Sequence, residues 1–512
     1  MFGKVISAAV VGIEGVLVQV EADISNGLPS FDMVGYLGAE VKEARERVRT
    51  ALRNSGFVIP PSRITVNLSP ANLRKQGNGF DLPIAVALLR AAGYLTKEEV
   101  DGILFAGELS LDGSLKGIRG VLSLASCAEE SGIQTVMVPG ENAREAAIVS
   151  GIASYGVSSL TEAVNYLKTL DERTPVKING EELLKQNMEY SMDFTEINGQ
   201  KTVKRAAEVA AAGFHNLLYI GPPGSGKTMA AKRIPTILPA LTLQESVELS
   251  KVYSIAGLLP AGEALITKRP FRNPHHTMSA VSLVGGGRTP KPGEISLAGK
   301  GILFLDELPE FQRETLEILR QPLEDRRVVI SRVYGTYTYP ADFQLICAMN
   351  PCKCGYYPDR TKCRCSESEI RRYLGRISKP LLDRIDICVE TPQVEYEDLV
   401  KKNKEEGSAS IRARVEKAME IQKKRYEKET FLFNSQLSGK KVKQYCILDE
   451  KGRALMEQAF SCMKLSARSY EKILKVARTI ADLDGEETIH SSHLAEAISY
   501  REVDQKYWGG SV

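Results

Sequence analysis

No stretch of this sequence approaches the roughly 18–20 consecutive apolar residues that a membrane-spanning helix needs, so none is expected. The opening MFGKVISAAVVGIEG looks briefly like a secretory leader. Glu14 breaks its apolar run, however, and no clean small-residue cleavage site follows. A cytoplasmic protein is the expectation. Charge of one sign is also scarce: 67 Lys and Arg stand against 64 Asp and Glu, a net of +3. That excludes a polycation, and any nucleic-acid contact must come from local basic surfaces. Internal repeats and low-complexity tracts are absent. Cysteines number nine. Cys127, Cys347, Cys388, Cys446 and Cys462 are scattered in mostly apolar contexts, as reduced core thiols are.

What is present is ordinary globular composition in 512 residues, 43% hydrophobic and 26% charged. That length holds about three domains. Residues 1–168 mix short β runs with helices. Val16, Val18 and Val20 alternate, ITVNLSP, GILFAGEL and TVMVPG read as strands, and VKEARERVRTALRNSG reads as an amphipathic helix ending at Gly56. Residues 169–192 are polar and read as a linker. Residues 193–392 run helix, strand, glycine loop, helix, strand, which predicts a parallel α/β sheet. Residues 393–512 read as helical, with Ser492 placed to cap the last helix.

The strongest chemical signal is GPPGSGKT, comprising Gly221, Pro222, Pro223, Gly224, Ser225, Gly226, Lys227 and Thr228, with Met229 next. It follows the apolar run LLYI and opens a helix. Glycines let backbone N–H groups wrap phosphates. Lys227 then reaches the β- and γ-phosphates of ATP, and the Thr228 hydroxyl ligates Mg²⁺. GILFLDEL ends an apolar strand in two carboxylates, Asp306 for the metal shell and Glu307 to polarise the attacking water. FQLICAMN ends in Asn350, a polar tip able to sense the γ-phosphate.

This ordered series resembles the AAA+ ATPases. The resemblance implies a P-loop core with a helical lid and a ring, expected to be a homo-hexamer. It implies an arginine from a neighbouring subunit, assigned to Arg384 in LLDRIDI with Arg376 as second choice. A second sensor falls on Arg468 in LSARS. Ile197 and Gln200 in DFTEINGQKTVKRA resemble the segment that packs on the adenine. RNPHHTMSAVSLVGGG, KPGEISLAGKGILFLDELPEF and NPCKCGYY are similar to the magnesium-chelatase-like branch, and with LPSFDMVG and RITVNLSPANLRKQGNGFDLPIA, to the ComM/YifB group. That likeness covers essentially the whole chain. It implies a first domain of α+β, Lon-protease-like (ribosomal S5 domain 2-like) fold. The Lon serine position falls on Gly79 and the lysine position on Leu122, so peptide cleavage is not expected.

Cys352, Cys354, Cys363 and Cys365 form two CxC pairs. Four thiolates can close a tetrahedral Zn²⁺ site; a disulfide or free thiols are the competing readings. Two segments resemble pore hairpins. The first carries Lys268, Arg269, Arg272, Arg288, Lys291 and Lys300 against Glu294. The second carries Arg326, Arg327, Arg332, Tyr334, Tyr337 and Tyr339. Basic and aromatic residues on a hairpin suit DNA, and the resemblance implies branch migration in recombination or natural transformation, with recombination or competence proteins as partners. The alternatives are a magnesium-chelatase-type metal-insertion ATPase subunit, although no DxSxS pattern is present, or a general AAA+ remodelling ATPase.

Overall fold

In the computed structural model, residues 1–186, 190–260, 262–287, 290–333, 335–393 and 405–509 are described. The first sheet grows from the longest alternating stretch. Phe2–Val11 (β1) and Glu14–Ser25 (β2) pair antiparallel around Gly12, which turns at φ 65°. Val18, Val20, Ala22 and Ile24 are buried at every second position. Val16, nearer the turn, is 37% exposed. Ser30–Val34 (β3) forms the sheet edge beside Arg63–Ser69 (β4), and Ile103–Phe105 (β5) lies beyond β1. The spatial order is β3-β4-β2-β1-β5, then Thr135–Pro139 and Ala153–Val157. Ala39–Asn54 (α1) buries Val41, Ala44, Val48, Ala51 and Leu52, an i, i+3, i+4 stripe. Asp81–Ala91 (α2) packs beside it and is almost wholly buried. Val121–Glu130 (α3) contributes to a separate core cluster with Ala8, Leu104 and Val136. The first domain is thus a mixed α+β sheet.

The second sheet has five parallel strands. Their spatial order is Phe271–Arg272, Ile302–Leu305, Gln344–Met349, Leu217–Ile220, Ile387–Glu390. The runs LLYI, ILFL and QLICAM are buried at every position, as expected for strands covered on both faces. Four long helices come next, Ser408–Arg425, Glu450–Cys462, Ala467–Asp484 and Ser491–Trp508. The last is capped at His490, not at Ser492. A bridge between Leu448 and Ile489 holds the preceding residue extended, and His490 Nδ1 lies 2.9 Å from Asp449 Oδ2. The cap therefore falls where that tether ends. No helix among the described residues is long and apolar enough to cross a membrane.

The stretch read as a linker carries a helix, Gly180–Gln186. Its Leu183 packs against a buried cluster of Leu122, Ile148, Ala264 and Leu265. That cluster joins the first domain to the second. Beside it, the Gly120 N–H donates to Ser254 Oγ at 2.8 Å, and the Ser254 hydroxyl donates to the Glu145 carboxylate. Glu145 also accepts from the Leu122 N–H at 2.9 Å and from Asn142 at 3.0 Å. Burial pushes its carboxyl above the ordinary range, against these donors. A second touch occurs at Gly12, where a Cβ would stand 3.0 Å from the Thr338 carbonyl oxygen.

Candidate nucleotide site

The C-terminal tips of three neighbouring parallel strands bring the expected groups together, the usual place for a ligand in such a sheet. Gly224 and Gly226 turn the loop at φ 75° and 82°, and the helix Lys227–Arg233 starts immediately after. Lys227 is 8% exposed. Its Nζ donates to the Gly221 and Pro222 carbonyls at 2.8 and 2.7 Å, and to Asn350 Oδ1 at 3.2 Å. Burial pushes this ammonium down to about 8, with the Asp306 charge opposing. Thr228 Oγ1 donates to Asp306 Oδ2 at 2.7 Å. These two oxygens converge as a Mg²⁺ site requires, so the donor set fits the ion. Gln200 Nε2 donates to the Ser225 carbonyl at 2.8 Å and the Pro392 carbonyl at 3.3 Å, across the loop. Ile197 is buried in the core below it. Met229 is 37% exposed at the helix start.

Glu307 stands at φ 52°, a left-handed conformation uncommon for a residue with a side chain. Its N–H donates to Asp306 Oδ1 at 2.9 Å, and its carboxylate lies 3.4 Å from His276 Nδ1. His276 in turn stacks near His275, with centroids 4.1 Å apart. Sequence reasoning overlooks His276. Its only signal is the HH pair just after the edge strand.

The low value at Lys227 has a testable consequence. Triphosphate charge favours the ammonium, so binding takes up protons above about pH 8, and affinity falls as pH rises through that value. Calorimetry in two buffers of different ionisation enthalpy measures the uptake.

Arg384 and Arg468 are placed elsewhere. Both line a cleft of about 190 Å³ that includes Asn216. Asn216 precedes the strand whose far end carries the phosphate loop, about 13 Å away at about 3.3 Å per residue. Arg384 donates to the Arg320 and Pro380 carbonyls at 3.0 and 2.6 Å and pairs with Glu324. Arg468 is exposed. Arg376 remains on the phosphate side, donating to the Pro309 carbonyl at 3.0 Å and to Glu310 at 2.9 Å.

The four clustered cysteines do converge. Their sulfurs all lie within 4.8 Å of one another, with close pairs at 3.3, 3.5 and 3.8 Å. A Zn–S bond of about 2.3 Å in a tetrahedron sets S···S near about 3.8 Å. All four are free thiols, so the disulfide alternative is not realised. The cluster suggests a zinc site. Its loop also reaches the glycine-rich loop: a Cβ at Gly355 would stand 2.4 Å from Pro223 Cδ.

The basic segments need correction. Arg269 is 4% exposed and bonds Glu245 and the Pro239, Ala240 and Lys300 carbonyls. Arg272 forms a bidentate pair with Glu294, and Lys300 pairs with Glu248 and Asp342. These three are internal braces. Lys268 lies 5.5 Å over the Tyr190 ring. In the second segment Tyr339 is buried, donating to the Pro290 carbonyl at 2.8 Å, and Arg326 pairs with Asp342. Tyr337 packs on the core. Arg288 and Tyr334 lie outside the described residues. Among the described residues of the two segments, Lys268, Lys291, Arg327 and Arg332 are exposed, as is the tip residue Val333. The hairpins Gly285–Gly286/Lys291–Pro292 and Arg327–Arg332/Gly335–Pro340 do form. They also meet, since Arg332 Nε donates to the Gly287 carbonyl at 3.3 Å.

Comparison with known proteins gives matches along almost the whole chain. The family described as magnesium chelatase, subunit ChlI, matches residues 193–399. The family described as subunit ChlI of Mg-chelatase matches residues 20–142, and that described as magnesium chelatase, subunit ChlI C-terminal, matches residues 405–501. The chain is 44% identical over 503 residues to competence protein ComM of Haemophilus influenzae, covering 97% of each. The chain belongs to the ComM/YifB family of magnesium-chelatase-like ATPases. It is 42% identical over 501 residues to the YifB protein of Salmonella typhimurium, covering 97% of this chain and 96% of the relative. As a ComM/YifB member it carries a ChlI-type first domain and the ATP and Mg²⁺ chemistry implied by its ATPase family. Similarity to Lon protease of Mycolicibacterium smegmatis is weaker, 29% over 148 residues, covering 27% of this chain and 18% of that protein.

Proposed function

We propose that this ATPase is a DNA motor, a helicase or branch-migration factor of homologous recombination or natural transformation, working as a homo-hexamer. The observation that carries it is the meeting of two hairpins, which sets exposed Arg332 beside the tip residue Val333, with exposed Lys291 on the neighbouring hairpin and exposed Arg327 at the base of the same strand. Close identity to a protein named for competence supports the same reading.

Within each subunit Lys227 grips the phosphates and Asn350 orients against them. Glu307, steadied by His276, polarises the attacking water. Mg²⁺ on Thr228 and Asp306 supplies neutralisation of phosphate charge. Gln200 and Ile197 border the base. Arg384 and Arg468, remote from their own phosphate loop, serve the site of the neighbour in the ring. Arg384 must first leave Glu324 to do so.

ATP turnover with single-stranded, duplex and forked DNA tests the reading. DNA stimulates the rate, and stimulation declines steeply with salt because bound phosphates release counterions. Reversing both exposed charges in an Arg327→Glu/Arg332→Glu protein abolishes stimulation while basal turnover persists. Indifference to all three DNAs, with stimulation by a porphyrin-binding partner instead, turns the assignment to a metal-insertion subunit.

The Cys352–Cys365 loop is assigned to structural Zn²⁺. It follows Asn350 directly and abuts Pro223 through Gly355, so the metal steadies both the sensor tip and the phosphate loop. Cys352→Ser therefore loses zinc by metal analysis and raises the KM for ATP severalfold. Zinc loss with unchanged ATP kinetics removes the positioning role.

A further inference from the structure

The first domain has a groove unrelated to the nucleotide site. It encloses about 780 Å³ between α1, the residues from Phe57 to Ser62, and the start of β3. Its floor is apolar. Leu52 and Leu88 are 3% and 0% exposed, and Phe31, Ile59 and Ile64 pack partly buried against the same core. One wall is basic. Arg45, Arg49 and Arg53 recur every four residues along α1, about 6 Å apart, and all three line the groove. Glu46 lines the groove with them and pairs with Arg45 at 3.0 Å, an exposed pair that counts for little and leaves the wall net positive. Among the described residues, Arg49 and Arg53 have no carboxylate partner.

The opposite wall is built. Val58 N–H and C=O both bond the Tyr94 hydroxyl at 3.1 Å, and Phe57 meets the Tyr94 ring edge-on. Pro60 and Pro61 stiffen the rest of that wall. The groove also adjoins an open sheet edge. Among the described residues β3 pairs with β4 alone and stands at the edge of the sheet, where a strand can be added. Around that edge, Leu28, Val34 and Val58 are 89%, 51% and 71% exposed.

Apolar floor, arginine wall and strand edge point to one chemistry. We propose that the groove docks an acidic peptide segment of a partner protein, laid along β3. An aromatic or aliphatic side chain fills the Phe31–Ile64–Leu88 pocket, and carboxylates meet Arg45, Arg49 and Arg53. Single-stranded nucleic acid fits less well. Its bases need open ring faces, and Phe31 and Phe57 are half-buried, with Phe57 engaged by Tyr94.

The test uses the full chain and a short fluorescein-labelled peptide alternating Asp and Leu around a single Phe. Anisotropy shows binding that weakens at least about tenfold, or about 1.4 kcal/mol, in an Arg49→Glu/Arg53→Glu protein. Val58→Asp, a change at an exposed position, weakens it as well. Peptides with Lys for Asp, or Ser for Leu and Phe, bind poorly. Basal ATP turnover is unchanged in both variants, which also shows that they are folded. Equal binding by both variants, or none by the parent chain, overturns the proposal. So does an oligothymidylate whose binding is lost in Arg49→Glu/Arg53→Glu, because the wall is then a phosphate track.

Discussion

Replacing Lys227 with alanine lowers ATP turnover by about two to three orders of magnitude, the size seen when one preorganised donor to developing charge is deleted. The residue is nearly buried, and its ammonium is the only cation bonded to the Gly221 and Pro222 carbonyls among the described residues. Alanine removes that charge from the loop and leaves both carbonyls and Asn350 Oδ1 without their donor. Nucleotide binding weakens along with turnover. Glu307→Gln behaves differently. The carboxylate is 61% exposed beside the loop, so its amide leaves binding intact while hydrolysis falls by about 10²–10⁴-fold, as for loss of a general base. A fluorescent ATP analogue separates the two variants, and a phosphate-release assay gives the rates. Parental turnover in Lys227→Ala removes the site altogether.

The second large effect concerns stability. Leu122 is fully buried among Ile148, Ala264 and Leu265. Leu122→Lys forces an ammonium into the apolar joint between the first domain and the ATPase sheet. An uncompensated buried charge costs about 3–5 kcal/mol. The variant unfolds at markedly lower denaturant concentration. An unchanged unfolding profile contradicts the packing described for this joint.

The nucleotide loop is legible in the sequence because consecutive amides make the grip, so the function needs contiguous residues. Asp306, Glu307 and Asn350 are legible for a related reason: apolar strands that end in polar residues deliver those residues to one sheet edge. The roles of the basic segments are not legible. Arg269 and Arg272 read as surface charge, yet each meets a glutamate more than twenty residues away. A sequence shows the cation and not the carboxylate that folding puts in front of it. Tyr339 likewise reads as a stacking residue, and only the fold shows Pro290 closing over its hydroxyl. Side-chain preference puts the final helix cap at Ser492, whereas a tether through Ile489 decides it. The convergence of Cys352, Cys354, Cys363 and Cys365 follows from spacing, but the contact of Gly355 with Pro223 does not.

The touch between Gly12 and Thr338 has a mechanical meaning. The hairpin that carries Arg327 and Arg332 is not a free arm. Its return strand rests against the turn of β1 and β2, so the longest strands of the first domain act as a buttress behind it. Movement of that return strand toward the first domain is blocked by the turn. The absence of a side chain at position 12 is what lets the two backbones bear on each other.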